Sequence, residues 1–127
     1  MKNEFGQFVE NKRIEKGISL RGFAGMIDIA PAYMSDLEKG RRNPPETDKL
    51  NLMVTKLNLN EKEKQTFFDL AGMARKHAIS PDLHDYVMDA NNANVRYALR
   101  VARDIKADDK VWQEVIKILE ERKRNGG

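Results

Sequence analysis

The stretch from Ser19 to Arg42 limits the fold of this chain most, because it predicts two short helices joined by a tight turn. Ser19 can cap the first helix, since its hydroxyl can accept a hydrogen bond from an amide that a helix start leaves unpaired. The apolar residues of this helix recur at the spacing of one helical face and are Leu20, Phe23, Ala24 and Ile27. Asp28 tolerates the left-handed backbone of a sharp turn, and Pro31 suits the first turn of a second helix.

The second helix is predicted over Pro31–Lys39, with Met34 and Leu37 on its apolar side and Gly40 as its stop. A helix, a short turn and a second helix, with two arginines just beyond, is the layout of a helix-turn-helix. Such a motif inserts its second helix into the major groove of DNA. We predict DNA contacts from the outward positions of this helix, which are Ala32, Tyr33, Ser35, Asp36 and Lys39.

From about Phe5 to Leu59 the sequence resembles the phage-repressor (lambda-repressor/Xre) type of transcriptional regulator. The matching segments are KRIEKGISL (Lys12–Leu20), FAGMIDIAPAYMSDLEKG (Phe23–Gly40) and RRNPP (Arg41–Pro45). The resemblance implies an all-α protein with an N-terminal five-helix domain that binds double-stranded DNA. It also implies a sequence-specific regulator, which we expect to be a repressor. As a homodimer it would place two recognition helices in successive major grooves of a palindromic operator, about 34 Å apart.

The outward side of the second helix can read bases. Ala32 can contact a thymine methyl group, and Asp36 can accept a hydrogen bond from a cytosine amino group. An acid that faces phosphates weakens binding unless it is paired, so a salt bridge from Asp36 to Lys39 or Arg42 is an equal alternative. Tyr33 can reach a phosphate or a base, or it can pack on the first helix of the motif.

The cations that count for DNA binding are those clustered around the motif. Residues 1–58 contain ten Lys and Arg against eight Asp and Glu, so this half is only mildly basic. Arg41, Arg42 and Asn43 follow the second helix, in the loop that crosses the DNA backbone in this family, and we predict that they contact phosphates. Arg21 should also lie over a phosphate, because the amides of a helix start attract anions. A solvated surface loop is the alternative for the two arginines and the asparagine.

Arg13 and Glu38 are expected to form a structural ion pair, because the family pairs an arginine at this place with a glutamate near the end of the recognition helix. Lys12 stands where the family keeps an apolar residue, so either its stem alone is buried or the position is exposed. Further helices are predicted over Glu4–Lys16, Glu46–Leu57 and Glu61–Ala74. We assign residues 1–72 to the DNA-binding domain and 73–80 to a linker. The sequence leaves open whether the last of these helices ends the first domain or begins the next.

Residues 81–124 are predicted to form a small three-helix bundle for dimerisation or for binding a partner protein. Its second helix, which runs to about Lys106, has an apolar side that we expect to face inward: Val95, Ala98, Val101, Ala102 and Ile105. Its third helix, capped by Asp108, carries an apolar stripe of Val111, Trp112, Val115, Ile116 and Leu119. This stripe is either ordinary core or a dimer or partner face. A bundle of about 45 residues is too small to bury a large core, so it should pack on the rest of the chain or on a second copy.

The composition excludes several other classes of protein. The chain has no cysteine, which rules out disulfides and cysteine-ligated zinc fingers. His77 and His84 are its only histidines, and with Asp82 and Asp85 they supply too few ligands for a metal or acid–base site. We therefore expect no metal, no cofactor and no enzymatic activity.

No segment has the apolar length of a signal peptide or a membrane span, so we expect a soluble cytoplasmic protein without membrane contact. A second hypothesis comes from the helical second half of the chain. The protein would then be an antitoxin or a phage-encoded protein-binding module whose helix-turn-helix regulates its own operon. In that case the C-terminal helices would capture another protein.

Overall fold

The computed structural model describes residues 4–75 and 78–126, and within these ranges the chain is helical, without a β-strand. Its α-helices are α1 (Glu4–Glu15), α2 (Leu20–Met26), α3 (Pro31–Glu38), α4 (Thr47–Lys56), α5 (Glu61–Ala74), α6 (Pro81–Met88), α7 (Ala93–Asp104) and α8 (Asp109–Arg124). A 3-10 turn over Ala90–Asn92 precedes α7. None of these helices is long and apolar enough to cross a membrane. The predicted all-α class is confirmed, whereas the grouping into a five-helix domain and a three-helix bundle stays a prediction.

The chain divides into two compact units, and the division falls inside α6, between Asp85 and Tyr86. We call the part up to Asp85 the first unit and the part from Tyr86 onward the second unit. The domain limits inferred from the sequence, at 1–72, 73–80 and 81–124, stay a prediction.

The core of the first unit is formed by side chains from α1 to α5. Its buried apolar residues are Phe5, Val9, Phe23, Ala24, Ile27, Met34, Leu50, Met53, Leu57, Phe67, Phe68 and Ala71. The Phe67 ring has its centroid 5.3 Å from that of Phe5, 6.1 Å from that of Phe8 and 5.4 Å from that of Phe68. Because α5 supplies both Phe67 and Phe68 to this core, α5 is a structural part of the first unit.

An ion pair between α1 and α5 occupies the position where the resemblance expects an apolar residue. Lys12 Nζ lies 2.8 Å from Glu63 Oε2 and 5.6 Å from the centroid of the Phe8 ring. Glu63 Oε1 also accepts a hydrogen bond from the Asn60 amide, while Asn60 Oδ1 accepts one from the Glu63 amide, and this capping box begins α5. The hydrogen bonds from Lys12 and then from Asn60 lower the pKa of Glu63, and the bond to Glu63 raises the pKa of Lys12. One carboxylate therefore both caps α5 and joins it to α1.

After α5 the chain turns back onto the helix at Gly72. A Cβ atom at Gly72 would lie 2.9 Å from the carbonyl carbon of Ile79 and 2.9 Å from the amide nitrogen of Ser80. The Ser80 hydroxyl donates a hydrogen bond to Asp69, on the same part of α5. Residues 78–80, which belong to the predicted linker, therefore lie against α5.

The second unit has no fully buried core among its described residues. No described residue from Tyr86 to Gly126 is buried. Its half-buried apolar residues are Val87, Val95, Ala102, Ala107, Trp112 and Val115. Ala98, Val101 and Ile105 are exposed, so the prediction that they face inward is wrong. A unit of this size has too few helices to cover the whole apolar side of α7.

Polar contacts define the turns of the second unit. Arg96 Nη1 of α7 donates to the carbonyl oxygens of Val87 at 2.6 Å and Asp89 at 2.7 Å. Asp108 caps α8, as predicted, because its Oδ1 accepts a hydrogen bond from the Val111 amide at 3.2 Å. These bonds fix the ends of α6, α7 and α8 where apolar contact is sparse.

Two helical glycines should respond in opposite directions to an added methyl group. Gly25→Ala should raise the free energy of unfolding by about 0.5–1 kcal/mol, because alanine favours a helix and nothing lies within 4 Å of the added Cβ. Gly72→Ala should lower it by about 1–3 kcal/mol, because the methyl group would overlap the backbone of Ile79 and Ser80. Urea unfolding of both variants beside the wild type measures the two changes. A more stable Gly72→Ala variant would contradict the close approach at this glycine.

Candidate nucleic-acid interface

The two helices of the motif, α2 and α3, begin where the sequence predicts. Ser19 Oγ accepts a hydrogen bond from the Gly22 amide at 3.0 Å, which confirms Ser19 as the N-cap of α2. Asp28 has a φ of 58° in the turn, and Pro31 is the first residue of α3. These three residues fix the start of α2, the turn and the start of α3, and so they set the direction of α3 relative to α2.

α3 has one buried side and one accessible side. Met34, Leu37 and Glu38 are buried. The accessible side consists of the exposed Ala32 and Lys39 and the half-buried Tyr33, Ser35 and Asp36. The five positions of the predicted recognition helix that are expected to contact DNA therefore all retain surface that a ligand can reach.

The end of α3 differs in one residue from the ends of α1, α2 and α4. α1, α2, α3 and α4 are each followed by a residue with left-handed backbone, and these residues are Gly17, Asp28, Gly40 and Asn58. After α1, α2 and α4 the next residue is apolar and packs against the core: Ile18, Ile29 and Leu59. After α3 it is Arg41, whose amide donates to the Asp36 carbonyl at 2.8 Å while its side chain is 68% exposed. The chain thus exposes a cation at a position where the fold otherwise makes an apolar contact.

Asp36, Arg41, Arg42 and Tyr33 form a cluster beside this helix end. Asp36 Oδ1 lies 3.8 Å from Arg41 Nη1, and Asp36 Oδ2 lies 3.8 Å from Arg42 Nε. The Arg42 guanidinium lies 5.1 Å from the centroid of the Tyr33 ring, a cation–π contact that the sequence did not suggest. Both arginine side chains are more than half exposed, so these long ion pairs contribute little to stability. The arginines can therefore exchange Asp36 for another anion at small cost.

Arg21 and Asn43, the remaining predicted DNA contacts, are both exposed. Arg21 lies in the first turn of α2, where the free amides of the helix favour an anion. Asn43 lies in the segment 41–46, between α3 and α4, which we call the arginine loop. From Asp36 to Asn43 the accessible charges are three cations and one acid, so this part of the surface is positive.

A buried ion pair holds the inner side of α3. Arg13 Nε lies 2.8 Å from Glu38 Oε2 and Arg13 Nη2 lies 3.0 Å from Glu38 Oε1, so the guanidinium and the carboxylate form two hydrogen bonds. Arg13 Nη1 also donates to the Ile18 carbonyl at 3.0 Å. The hydrogen bond with Glu38 raises the pKa of Arg13. The two residues that the resemblance pairs thus join α1, the α1–α2 turn and α3 through one guanidinium.

Lys49 supports the turn of the motif, a role that sequence reasoning missed. Its Nζ donates to the Ile27 carbonyl at 2.9 Å and to the Asp28 carbonyl at 3.3 Å, at the C-terminal end of α2. A cation is favourable there because the last carbonyls of a helix carry partial negative charge. The contact joins residues 22 positions apart, so no local pattern in the sequence identifies it.

Arg75 contacts the arginine loop from the end of α5, and it too was not predicted. Pro44 and Pro45 are buried, and Arg75 Nη2 donates to the carbonyl oxygens of both, with 2.9 Å to Pro45. Tyr33 and Arg75 are among the residues that line a groove of about 960 Å³ beside this loop. The loop and the start of α3 therefore share one concave surface.

The described residues contain no group of three His, Cys, Asp or Glu side chains that could hold a metal ion. The side chain of His84 is 60% exposed, and its Nδ1 lies 3.2 Å from Asp85 Oδ1, which is a surface contact between neighbours. His77 lies outside the described residues. No arrangement of groups for catalysis is apparent around His84.

The predicted dimer or partner face of α8 is partly covered and partly exposed. Trp112 and Val115 are half-buried. Val111 is 38% exposed, Ile116 51% and Leu119 63%. The exposed residues leave apolar surface in contact with water on one helix.

Removing one partner of the buried ion pair should strongly destabilise the first unit. Arg13→Met keeps the aliphatic length but leaves the Glu38 carboxylate, whose side chain is 3% exposed, without its guanidinium. We expect the free energy of unfolding to fall by about 3–5 kcal/mol. Arg21→Met is the matched control, because it removes the same charge from an exposed site and should change stability by less than about 0.5 kcal/mol. Urea unfolding measures both, and equal effects would contradict a special role for the buried pair.

No family model matches the chain, and no curated protein is significantly similar to it. Among solved structures the chain is similar to one titled SinR protein/SinI protein complex, with 19% sequence identity and a TM-score of 0.43. The similarity covers 94% of this chain and 98% of that one. A similarity at this level is no basis for assigning a function.

Proposed function

We propose that this chain is a sequence-specific DNA-binding transcriptional regulator, which represses its target genes as a cytoplasmic homodimer. α3 is the recognition helix, and two copies of it enter successive major grooves of a palindromic operator, about 34 Å apart. One observation carries the proposal: the accessible side of α3 leads into Arg41 and Arg42, and Arg41 is exposed where the ends of α1, α2 and α4 place an apolar residue.

The arginine loop supplies affinity that does not depend on base sequence. Arg41 and Arg42 lie 3.8 Å from the Asp36 carboxylate in weak, exposed pairs, so a DNA phosphate can take its place. Each phosphate contact releases counterions, which makes binding fall as salt rises. Arg21 and Asn43 add phosphate contacts that fix the register of the protein on the duplex.

α3 supplies the base readout. Ala32 is exposed at the start of α3, the part of a recognition helix that contacts base edges, and its methyl group can pack on a thymine methyl. Once the arginines turn to phosphates, Asp36 becomes available to accept a hydrogen bond from a cytosine amino group. Ser35 and Lys39 lie on the same accessible side and complete the contact set. Tyr33 orients the neighbouring guanidinium through its ring.

The second unit supplies the dimer contact. Its exposed apolar residues on α7 and α8 are Tyr97, Leu99, Val101, Ile105, Val111, Ile116, Ile118 and Leu119. Burying apolar surface contributes roughly 25 cal/mol per Å², and none of the described residues of this unit is buried within one chain. A second copy presents the same apolar surface, which is what a two-fold interface requires.

The same exposed surface favours a second candidate function. The protein would be a protein-binding module, such as an antitoxin or a phage-encoded protein, whose helix-turn-helix regulates its own operon. α7 and α8 would then cover their apolar residues with a different protein instead of a second copy. The oligomeric state of the isolated chain separates the two candidates.

Replacing the two loop arginines should weaken binding to every DNA sequence. The plot of log K against log salt has a negative slope, and the double variant Arg41→Ala, Arg42→Ala should reduce the magnitude of that slope by about 2, one unit for each lost phosphate contact. Fluorescence anisotropy at several salt concentrations measures this, with a duplex from upstream of the protein's own gene and an unrelated duplex. The matched control is Lys56→Ala, Lys62→Ala, which removes the same charge from two exposed sites outside the arginine loop.

Substitutions on α3 should instead change the preference between the two duplexes. Asp36→Asn and Ala32→Ser should each alter the affinity ratio by about tenfold, since one good base contact contributes about 1–3 kcal/mol. Equal binding to both duplexes by the wild type and by every variant would contradict sequence-specific readout.

A charge on the exposed side of α8 should separate the dimer. Leu119→Glu should convert a wild-type particle of twice the 14.6 kDa chain mass into a monomer, because a carboxylate cannot be buried unpaired in an apolar interface. Ile14→Glu is the matched control, since Ile14 is 60% exposed and Leu119 63%. Sedimentation velocity measures the mass. A monomeric wild type would contradict the homodimer and favour the second candidate function.

A further inference from the structure

We propose that Arg75 is a positioning residue that holds the arginine loop in the conformation that presents Arg41 and Arg42 to DNA. The role in DNA binding rests on the proposed function, whereas the contact with the loop rests on the hydrogen bonds of one guanidinium. Arg75 lies at the end of α5 and is separated from the loop by about 30 residues of sequence.

The arginine loop has little means of holding its own backbone. Pro44 and Pro45 carry no amide hydrogen, so two consecutive positions of the loop have no backbone hydrogen bond to donate. Their carbonyl oxygens nevertheless lie in a buried stretch, where a polar group needs a partner. Arg75 Nη2 supplies that partner to both carbonyls, and it also lies 3.9 Å from Glu46 Oε1.

The burial of Arg75 separates it from the arginines proposed to contact phosphates. Its side chain is 32% exposed, against 68% for Arg41 and 55% for Arg42. Among the described residues its Nε is buried without a hydrogen-bond partner, which opposes folding. The guanidinium of Arg75 is partly buried, and one of its nitrogens, Nη2, bonds two carbonyls of the arginine loop. We therefore assign it to holding the loop and not to binding a ligand in solvent.

The backbone of Arg75 is itself held on both sides. Its amide donates to the Gly72 carbonyl at 3.2 Å, and its carbonyl accepts a hydrogen bond from the Ala78 amide at 3.0 Å. Ser80 continues this turn back onto α5 by donating to Asp69. The guanidinium therefore extends from a fixed base, and the position of the loop is coupled to the way the chain leaves α5.

The loop contact is tested first without DNA. Amide hydrogen exchange at Arg41, whose amide donates to the Asp36 carbonyl, should be about tenfold faster in Arg75→Met, the loss expected for one charge-assisted hydrogen bond. Arg75→Lys keeps the charge but has a side chain one bond shorter, and it should also speed exchange. Lys62→Met, which removes an exposed cation near the start of α5, is the control and should leave exchange at Arg41 unchanged. Unchanged exchange in a folded Arg75→Lys variant would overturn the proposal, and this variant decides if Arg75→Met does not fold.

The consequence for binding is tested second, with the same duplexes as above. Both Arg75 variants should bind DNA about tenfold more weakly, whereas Lys62→Met should bind like the wild type. Full affinity in Arg75→Lys with loss in Arg75→Met would show that Arg75 acts as a charge on DNA and would overturn the positioning role. Unchanged affinity despite a loosened loop would overturn it as well. A wild type that binds no DNA, while exchange of its Arg41 amide still depends on Arg75, would refute the proposed function and leave the loop contact supported.

Discussion

The two hydrogen bonds between Arg13 and Glu38 control how α3 is turned about its own axis. Apolar contact is non-directional, so Met34 and Leu37 alone would tolerate some rotation of the helix. The buried Glu38 carboxylate does not tolerate such a rotation, because it must keep its charged partner and because hydrogen bonds have a preferred geometry. With Glu38 directed inward, the accessible side of α3 is directed outward. The same guanidinium bonds Ile18, so the entry to α2 is fixed by the group that orients α3.

Half-buried cations recur as supports for the surface proposed to bind DNA. Lys49 bonds carbonyls at the end of α2, and Arg75 bonds carbonyls of the arginine loop. In both places a helix contributes the cation and a connecting segment contributes the carbonyls. Turns have few backbone partners of their own, so a charge-assisted bond from a rigid helix is an effective way to fix them. The exposed arginines can then remain weakly paired, because their position does not depend on their own ion pairs.

The features that could be predicted from the sequence are local ones. The caps at Ser19 and Asp108 and the left-handed Asp28 each depend on residues within about one helical turn, so spacing and residue type suffice. The contacts of Lys49 and Arg75 join residues 21 to 31 positions apart, and the contact of Lys12 with Glu63 joins residues 51 positions apart. A single sequence has no pattern that identifies such contacts. The pairing of Arg13 with Glu38 was inferred only through the family resemblance. On α7 the periodicity grouped five apolar residues on one side, but only Val95 and Ala102 are half-buried, because periodicity does not show what covers a helix.

The contrast in burial between the two units follows from what surrounds their helices. In the first unit, helices on several sides of one core bury residues such as Phe67 completely, whereas no described residue of the second unit is buried. Isolated helices of the length of α7 and α8 are marginal in water, so these helices would gain stability if another surface covered their apolar sides. If that surface is a second copy, association also joins two recognition helices. Once one recognition helix of the dimer is bound, the other is held near its own half-site at a high effective concentration. On the proposed function, the incomplete core of the second unit therefore promotes dimerisation. Dimerisation in turn allows a short recognition helix with few base contacts to bind a specific site.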